Sequence, residues 1–289
     1  MIKITFVSKG INRYLSSSFN FNPSSVIFNK KSTCNYNSTC DIHGPTKTIS
    51  LKFDDIIINT CENMFKGLSN IQEIDLSEFV SSQIISMAHM FEGFSNLRKI
   101  NFGNMDTSKV TNMEYLFYGC SQLKELDLVN FDTSSVTNMK YMFALLFDLT
   151  NLKLSENFKT SNVTNMAYMF YHISSLSTID LSMLDTSKVK NMSNMFSDAW
   201  KLKSLVIPNF DISKVKTIEN MFRNCFSLYY LDINKFKVSN NINIEGVFQN
   251  KNKNLKICIN AHETIHYLLD SNFEALICSE ECIKKKLLH

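Results

Sequence analysis

The residues best equipped for chemistry lie near the C-terminus. His262 to His266 read HETIH, an H-E-x-x-H pattern that on a helix places two imidazoles on one face as zinc ligands, with the carboxylate as general base for hydrolysis. Catalysis also needs a third ligand, for which Glu280 or Glu281 is available, and a substrate groove, for which the 23 residues after His266 are too few. His262, His266, Cys278 and Cys282 offer a second arrangement, a closed structural zinc site built from two pairs spaced i, i+4. The plainer reading needs no metal. Asn260 with Glu263 and Ser271 with Glu274 are capping boxes, so 260–289 is expected to be a helical cap without a cofactor.

Eight cysteines carry the remaining sulfur chemistry. Cys61, Cys120 and Cys225 fall in apolar columns and are expected as buried thiols. In an oxidising compartment, Cys34 can pair with Cys40, and Cys258 with Cys278 or Cys282. Asn37-Ser38-Thr39 is a glycosylation sequon whose meaning depends on export. Thirty Lys and Arg against 27 Asp and Glu give a net charge of +3, and the basic run Lys284 to Lys286 is short, so no nucleic-acid partner is indicated. No apolar run approaches membrane-spanning length, and the N-terminus shows no signal peptide.

Only 7 Gly and 3 Pro stand beside 23 Phe and 14 Met, so Phe and Met are being used systematically. Phe65, Phe91, Phe117, Phe143, Phe170, Phe196, Phe222 and Phe248 are 26 residues apart, with one interval of 27. A fixed period of this length is the mark of a solenoid, whose coils stabilise one another by stacking. Around Leu126-Asp127-Leu128 the apolar and polar residues alternate as in a short strand. Asp132 and Ser134 supply turn chemistry. Val136, Met139, Met142 and Phe143, with gaps of 3, 3 and 1, predict an extended piece running into one helical or 3₁₀ turn. Phe53, Phe79, Phe131, Phe158, Phe210 and Phe236 form a second inward column.

The units LDLVNFDTSSVTNM and NFDTSSVTNMKYMF, over residues about 50 to 260, resemble those of the BspA-like leucine-rich repeat surface proteins. The resemblance implies an α/β, right-handed solenoid with a parallel β-sheet, displayed on or released from cells and acting in adhesion and protein recognition. The expected organisation is an N-terminal cap over 1–48 with Phe6, Phe19, Phe21 and Phe28 covering the first coil, about eight leucine-rich coils over 49–259, and the C-terminal helical cap over 260–289.

On the sheet face the outward column contains Asp75, Asn101, Asp127, Lys153, Asp180, Val206 and Asp232. Tyr229 and Tyr230 are expected to add exposed aromatic area. Asp75, Asp127, Asp180, Asp232, Tyr229 and Tyr230 are therefore the candidate contacts for a protein partner. Asn112, Asn138, Asn165 and Asn191 form a further column, read as structural amides that bond along the axis and to turn backbone. The function expected is a non-enzymatic recognition or adhesion scaffold. Two alternatives are a structural subunit that self-associates through solenoid edges or ends, and a zinc hydrolase using HETIH.

Overall fold

A 26-residue pitch makes each apolar column stack on itself, and in the computed structural model the eight repeat phenylalanines form one uninterrupted pile. Neighbouring rings from Phe65 to Phe248 have centroids 5.3 to 6.0 Å apart and planes within 16° of each other. Met64, Met90, Leu116, Met142, Met169, Met195 and Met221 are buried beside them. The second Phe column is buried too, apart from the half-buried Phe53. The structure describes residues 1–28, 33–34, 38–43, 47–54, 56–207, 210–233, 236 and 241–259, and the backbone of 35 and 275–277.

Hydrogen bonding shows why the coils cannot stand alone. In the coil that begins at Cys61, the N–H groups of Cys61, Asn63, Phe65 and Gly67 donate to the carbonyls of Ser86, Ala88, Met90 and Glu92 in the next coil, at 2.7 to 3.1 Å. The alternate N–H groups of Met64, Lys66 and Leu68 donate three residues back within the coil, at 3.1 to 3.2 Å. Half of this segment's donors therefore depend on a neighbour, and a buried donor without a partner is costly.

The turns correct the expected fold class. The i to i+3 bonds from Met64 and Leu68 close turns whose third residue has positive φ, Asn63 (59°) and Gly67 (72°), and the pair recurs at Tyr115 and Gly119, Tyr141 and Leu145, and Asn194 and Asp198. A positive-φ residue every four positions is incompatible with a continuing right-handed helix. The 3, 3, 1 spacing thus runs from Val136 through the extended Asn138 bridge into the turn that the Met142 N–H closes on Met139, and not into a helix. Among the described residues there is no helix, and the chain is a β-solenoid rather than an α/β protein.

A column of single parallel bridges, Thr60, Ser86, Asn112, Asn138, Asn165, Asn191, Thr217 and Asn243, marks the coils. Eight bridge residues enclose seven steps, so the solenoid has about seven turns where the sequence suggested eight coils. The asparagines serve the turns: Oδ1 of Asn112, Asn138, Asn165 and Asn191 accepts from the backbone N–H two residues on, at 2.9 to 3.1 Å. Buried threonines stitch coil to coil. Thr186 Oγ1 donates to the Asp211 carbonyl at 3.0 Å and accepts from the Asp211 N–H at 2.7 Å, and Thr107 and Thr160 repeat the pattern.

On the leucine side the strands pair in parallel: β7 (Ile71–Asp75) with β8 (Lys99–Asn101), β9 (Glu125–Asp127) with β10 (Asn151–Lys153), and β11 (Ser204–Val206), β12 (Tyr230–Asp232), β13 (Lys256–Ile259) and β14 (Ala275–Ile277) in that order. β14 is a strand within the segment expected to be a helical cap, because Cys258 and its neighbours offer it a parallel edge. The remainder of 260–289, with HETIH, both capping boxes, Cys278 and Cys282, lies outside the described residues, as does Asn37. At the other end β1 (Ile2–Phe6) runs antiparallel between β6 (Thr48–Lys52) and β7, and Phe6 and Phe19 are buried. Phe21 is half-buried against the core, and Phe28 is 39% exposed.

Cys34 is disulfide-bonded to Cys40 across β4 (Thr33–Asn35) and β5 (Thr39–Ile42). Cys258 is also disulfide-bonded. Cys61, Cys120 and Cys225 are free and buried, and burial pushes all three thiols up, Cys225 to about 12. These three should resist a thiol-specific reagent in the native protein and react together when denaturant unfolds the chain; native reactivity at neutral pH would contradict the packing. Thr186→Val leaves the Asp211 N–H and carbonyl without this partner and should lower stability by roughly 1–3 kcal/mol in urea unfolding.

Candidate functional site

The expected acidic strip is not a continuous surface. Asp75 is half-buried in a groove of about 200 Å³ that Lys3 and Lys99 also line. Partial burial pushes its carboxyl up, but hydrogen bonds from Ser77, the charge of Lys3 and the Asn101 amide together hold it below the ordinary value. Asp127 is exposed and pairs with Lys153 at 3.3 Å. Asp180 is exposed and accepts from the Ser182 N–H at 2.9 Å.

The C-terminal members of the set are largely inaccessible. Asp232 and Tyr230 are 5% and 7% exposed, and Tyr229 is half-buried. β12 is flanked by β11 and β13, and the Tyr230 hydroxyl lies 3.4 Å from Cys258 Sγ in a small cluster with Val206 and Tyr229. The expectation of exposed aromatic area there is therefore corrected: Tyr230 is packing, not a free contact.

The opposite corner of the coil carries an aromatic surface that the leucine-side reading misses. His89, Tyr115, Tyr141 and Tyr168 occupy the first left-handed turn position in four successive coils. Their rings stack along the axis with centroids 4.9, 4.6 and 4.3 Å apart and planes within 19°. Tyr118 meets Tyr115 and Tyr141 edge-on at 5.1 and 5.7 Å, and Tyr171 meets Tyr168 edge-on at 5.5 Å. The surface continues to His172, with Phe147 4.9 Å and Trp200 4.6 Å from it. Phe147, Trp200 and nearby Phe226 are 38%, 43% and 54% exposed, while the ladder rings are half-buried.

Backbone geometry does not require these aromatics. Other coils place Asn63, Asn194, Asn220 and Gly246 at the same position, residue types that tolerate positive φ far better than tyrosine does. Ring stacking, worth about 0.5–1.5 kcal/mol per pair, offsets a left-handed penalty of roughly 1–2 kcal/mol per residue. The outcome is a rigid surface in which each ring is held by its neighbours.

Polar groups edge the ladder. Lys140 Nζ lies 5.9 Å from the Tyr115 centroid, 5.5 Å from that of Tyr141 and 3.6 Å from Glu114 Oε1. Glu92 pairs with Lys66 at 2.9 Å and with His89. Burial raises the phenol pKa of Tyr115, Tyr141 and Tyr171, reinforced by Glu114 at Tyr115, by Tyr168 at Tyr141 and by Asp198 at Tyr171. The phenols are therefore neutral donors and acceptors at physiological pH. The signal was present in the sequence as His89, Tyr115, Tyr141 and Tyr168 in phase with the repeat Phe; what it lacked was the turn geometry that sends this position outward.

Folded-state phenol values above the ordinary 10.0 mean that the unfolded chain loses those protons first. Stability should hold below pH 10 and fall as pH rises beyond it, which thermal unfolding in alkaline buffers will measure. Tyr230→Ala removes a buried aromatic and should cost about 3–5 kcal/mol by analogy with other large-to-small core changes. Asp127→Lys, at an exposed pair, should stay within about 1 kcal/mol; denaturant melts of the two variants separate packing from surface.

No curated protein matches the chain. The family described as "Mycoplasma protein of unknown function, DUF285" matches residues 59–153 and again 146–259, which together span 201 of the 289 residues (59 to 259). Those stretches are the stacked coils that carry the Phe pile, the Asn bridges and the tyrosine ladder, and the chain belongs to that family.

Proposed function

We propose that this protein is a non-enzymatic recognition scaffold whose protein partner docks on the aromatic corner of the solenoid. The observation that supports it is the stacked aromatic surface from Tyr115 to Trp200, half-buried along the ladder and exposed at Phe147, Trp200 and Phe226. Tyrosine and tryptophan dominate binding hot spots because they bring large amphipathic area at little entropic cost. Here the stack has already fixed the side chains, so association orders less on docking. The sheet face is the weaker candidate, since Asp75 is met by lysines, Asp127 is paired and Asp232 is buried. The likeness to BspA-like surface proteins points to adhesion as the setting for such recognition.

A second reading, self-association through the N-terminal end, is favoured by one feature. Ile57 and Val80 are 77% and 79% exposed beside a cavity of about 190 Å³ lined also by Phe53, Ile56 and Phe79. Light scattering that finds a dimer abolished by Val80→Lys would support it.

The main test uses two immobilised variants against the same host surface extracts. Trp200→Ala with Phe226→Ala should lose a partner captured by the wild type, weakening binding about thirty-fold, which is the equivalent of 2 kcal/mol. Asp127→Lys with Asp180→Lys should retain it. The reverse pattern would return the site to the sheet face.

A further inference from the structure

At one end of the aromatic surface the rings cease to stack and turn toward one another. The Phe147 ring stands at 71° to His172, Tyr171 at 74° and Trp200 at 54°, with centroids 4.9, 5.8 and 4.6 Å away. One coil further along the His172 column stands Asp198, placed there by the bond from the His172 N–H to the Ser197 carbonyl. Asp198 Oδ1 accepts from Asn224 Nδ2 at 2.7 Å and Oδ2 from Ser197 Oγ at 2.9 Å. Both donors are neutral, and among the described residues no cation forms an ion pair with this carboxylate. A carboxylate has lone pairs for about four donors, so two remain for a ligand.

Resting on the recognition reading above, we propose that Phe147, Tyr171, His172, Trp200 and Asp198 form a seat for a cationic side chain, lysine or arginine, presented by the protein partner. Phe147 and Trp200 pack against His172 and are 38% and 43% exposed, and a cation against an exposed ring face gains from that face as well as from the carboxylate. The chain itself supplies the precedent. Lys140 sits against the Tyr115 and Tyr141 rings with Glu114 as counter-charge, a cation held by aromatic faces beside an acid. Two coils on from the Tyr141 coil, the residue in the column of Lys140 is Ser193, so no lysine of that column serves the Trp200 end. Two cations stand near: exposed Lys201, and Arg223, whose charge reaches Tyr171 and whose buried Nε has no hydrogen-bond partner. Their repulsion opposes a bound cation and gives the proposal a sign to test.

Trp200 is the only tryptophan, so its emission reports the seat directly. The full chain is titrated with N-acetyl-arginine amide and N-acetyl-lysine amide, and with N-acetyl-norleucine amide as the neutral control. The proposal expects a saturable change with the two cations and none with norleucine. Asp198→Asn should weaken cation binding about five-fold, the loss of one charge-assisted contact, and Arg223→Gln should tighten it. Circular dichroism checks that each variant folds, and His172→Ala, which opens the box without touching the charge, replaces Asp198→Asn should that variant fail. An equal response to norleucine, or cation binding indifferent to both substitutions, overturns the proposal. Should Trp200→Ala abolish partner capture while free cations leave emission unchanged, the cation seat falls and the recognition reading stands. Should cations bind while capture survives Trp200→Ala, the seat is not a partner contact and both fall.

Discussion

The bonds that run from one coil to the next govern this molecule. Alternate N–H groups of the turn segments from Cys61 to Asn224, such as Cys61, Asn63, Phe65 and Gly67, reach the neighbouring coil, and the intervening ones close within their own. A coil thus satisfies half of its turn donors only when another lies in register beside it. Register in turn fixes the side chains, because a shift of one residue would exchange inward and outward positions. The Phe pile, the Thr stitches and the tyrosine ladder are consequences of one 26-residue spacing. The 27-residue interval is accommodated without breaking it, since Phe143 and Phe170 still stack at 5.3 Å.

That regularity also explains how the aromatic stripe arises. Any outward position recurs in every coil, so a substitution in several consecutive coils writes a stripe along the axis. At the left-handed turn position the terminal coils use Asn or Gly, the cheap choices, whereas the central ones use His89, Tyr115, Tyr141 and Tyr168. The central coils accept a strained backbone around bulky rings and recover it by stacking those rings on each other. Local strain held by surrounding structure is a common companion of binding surfaces.

Much of the fold was legible in the sequence. The interval between Phe65, Phe91 and Phe117 gave the pitch, and the alternation around Leu126 gave the parallel strands. Val136, Met139 and Met142 have helical spacing, yet Asn138 between them is an extended bridge and only 139–142 closes a turn; the difference lies in the φ of Tyr141 and Leu145, side chains that do not advertise the left-handed region as glycine does. Tyr230 and Asp232 depart from the strand pattern for another reason. An outward position on a strand is exposed only if nothing covers it, and their burial depends on packing at the C-terminal end of the sheet rather than on local pattern. The aromatic corner was in phase and visible, but reading it required knowing which way the turn points.

The most direct test of coil interdependence is the cooperative unfolding of a chain lacking residues 113–138, one complete coil between the Asn112 and Asn138 bridges. Because the deletion keeps every column in phase, the shortened chain should retain its β-sheet signal and melt in a single transition. A parallel deletion of only 113–125 breaks the phase and should leave the chain unable to fold cooperatively. Equal behaviour of the two deletions would contradict the claim that in-register stacking, coil upon coil, holds this protein together.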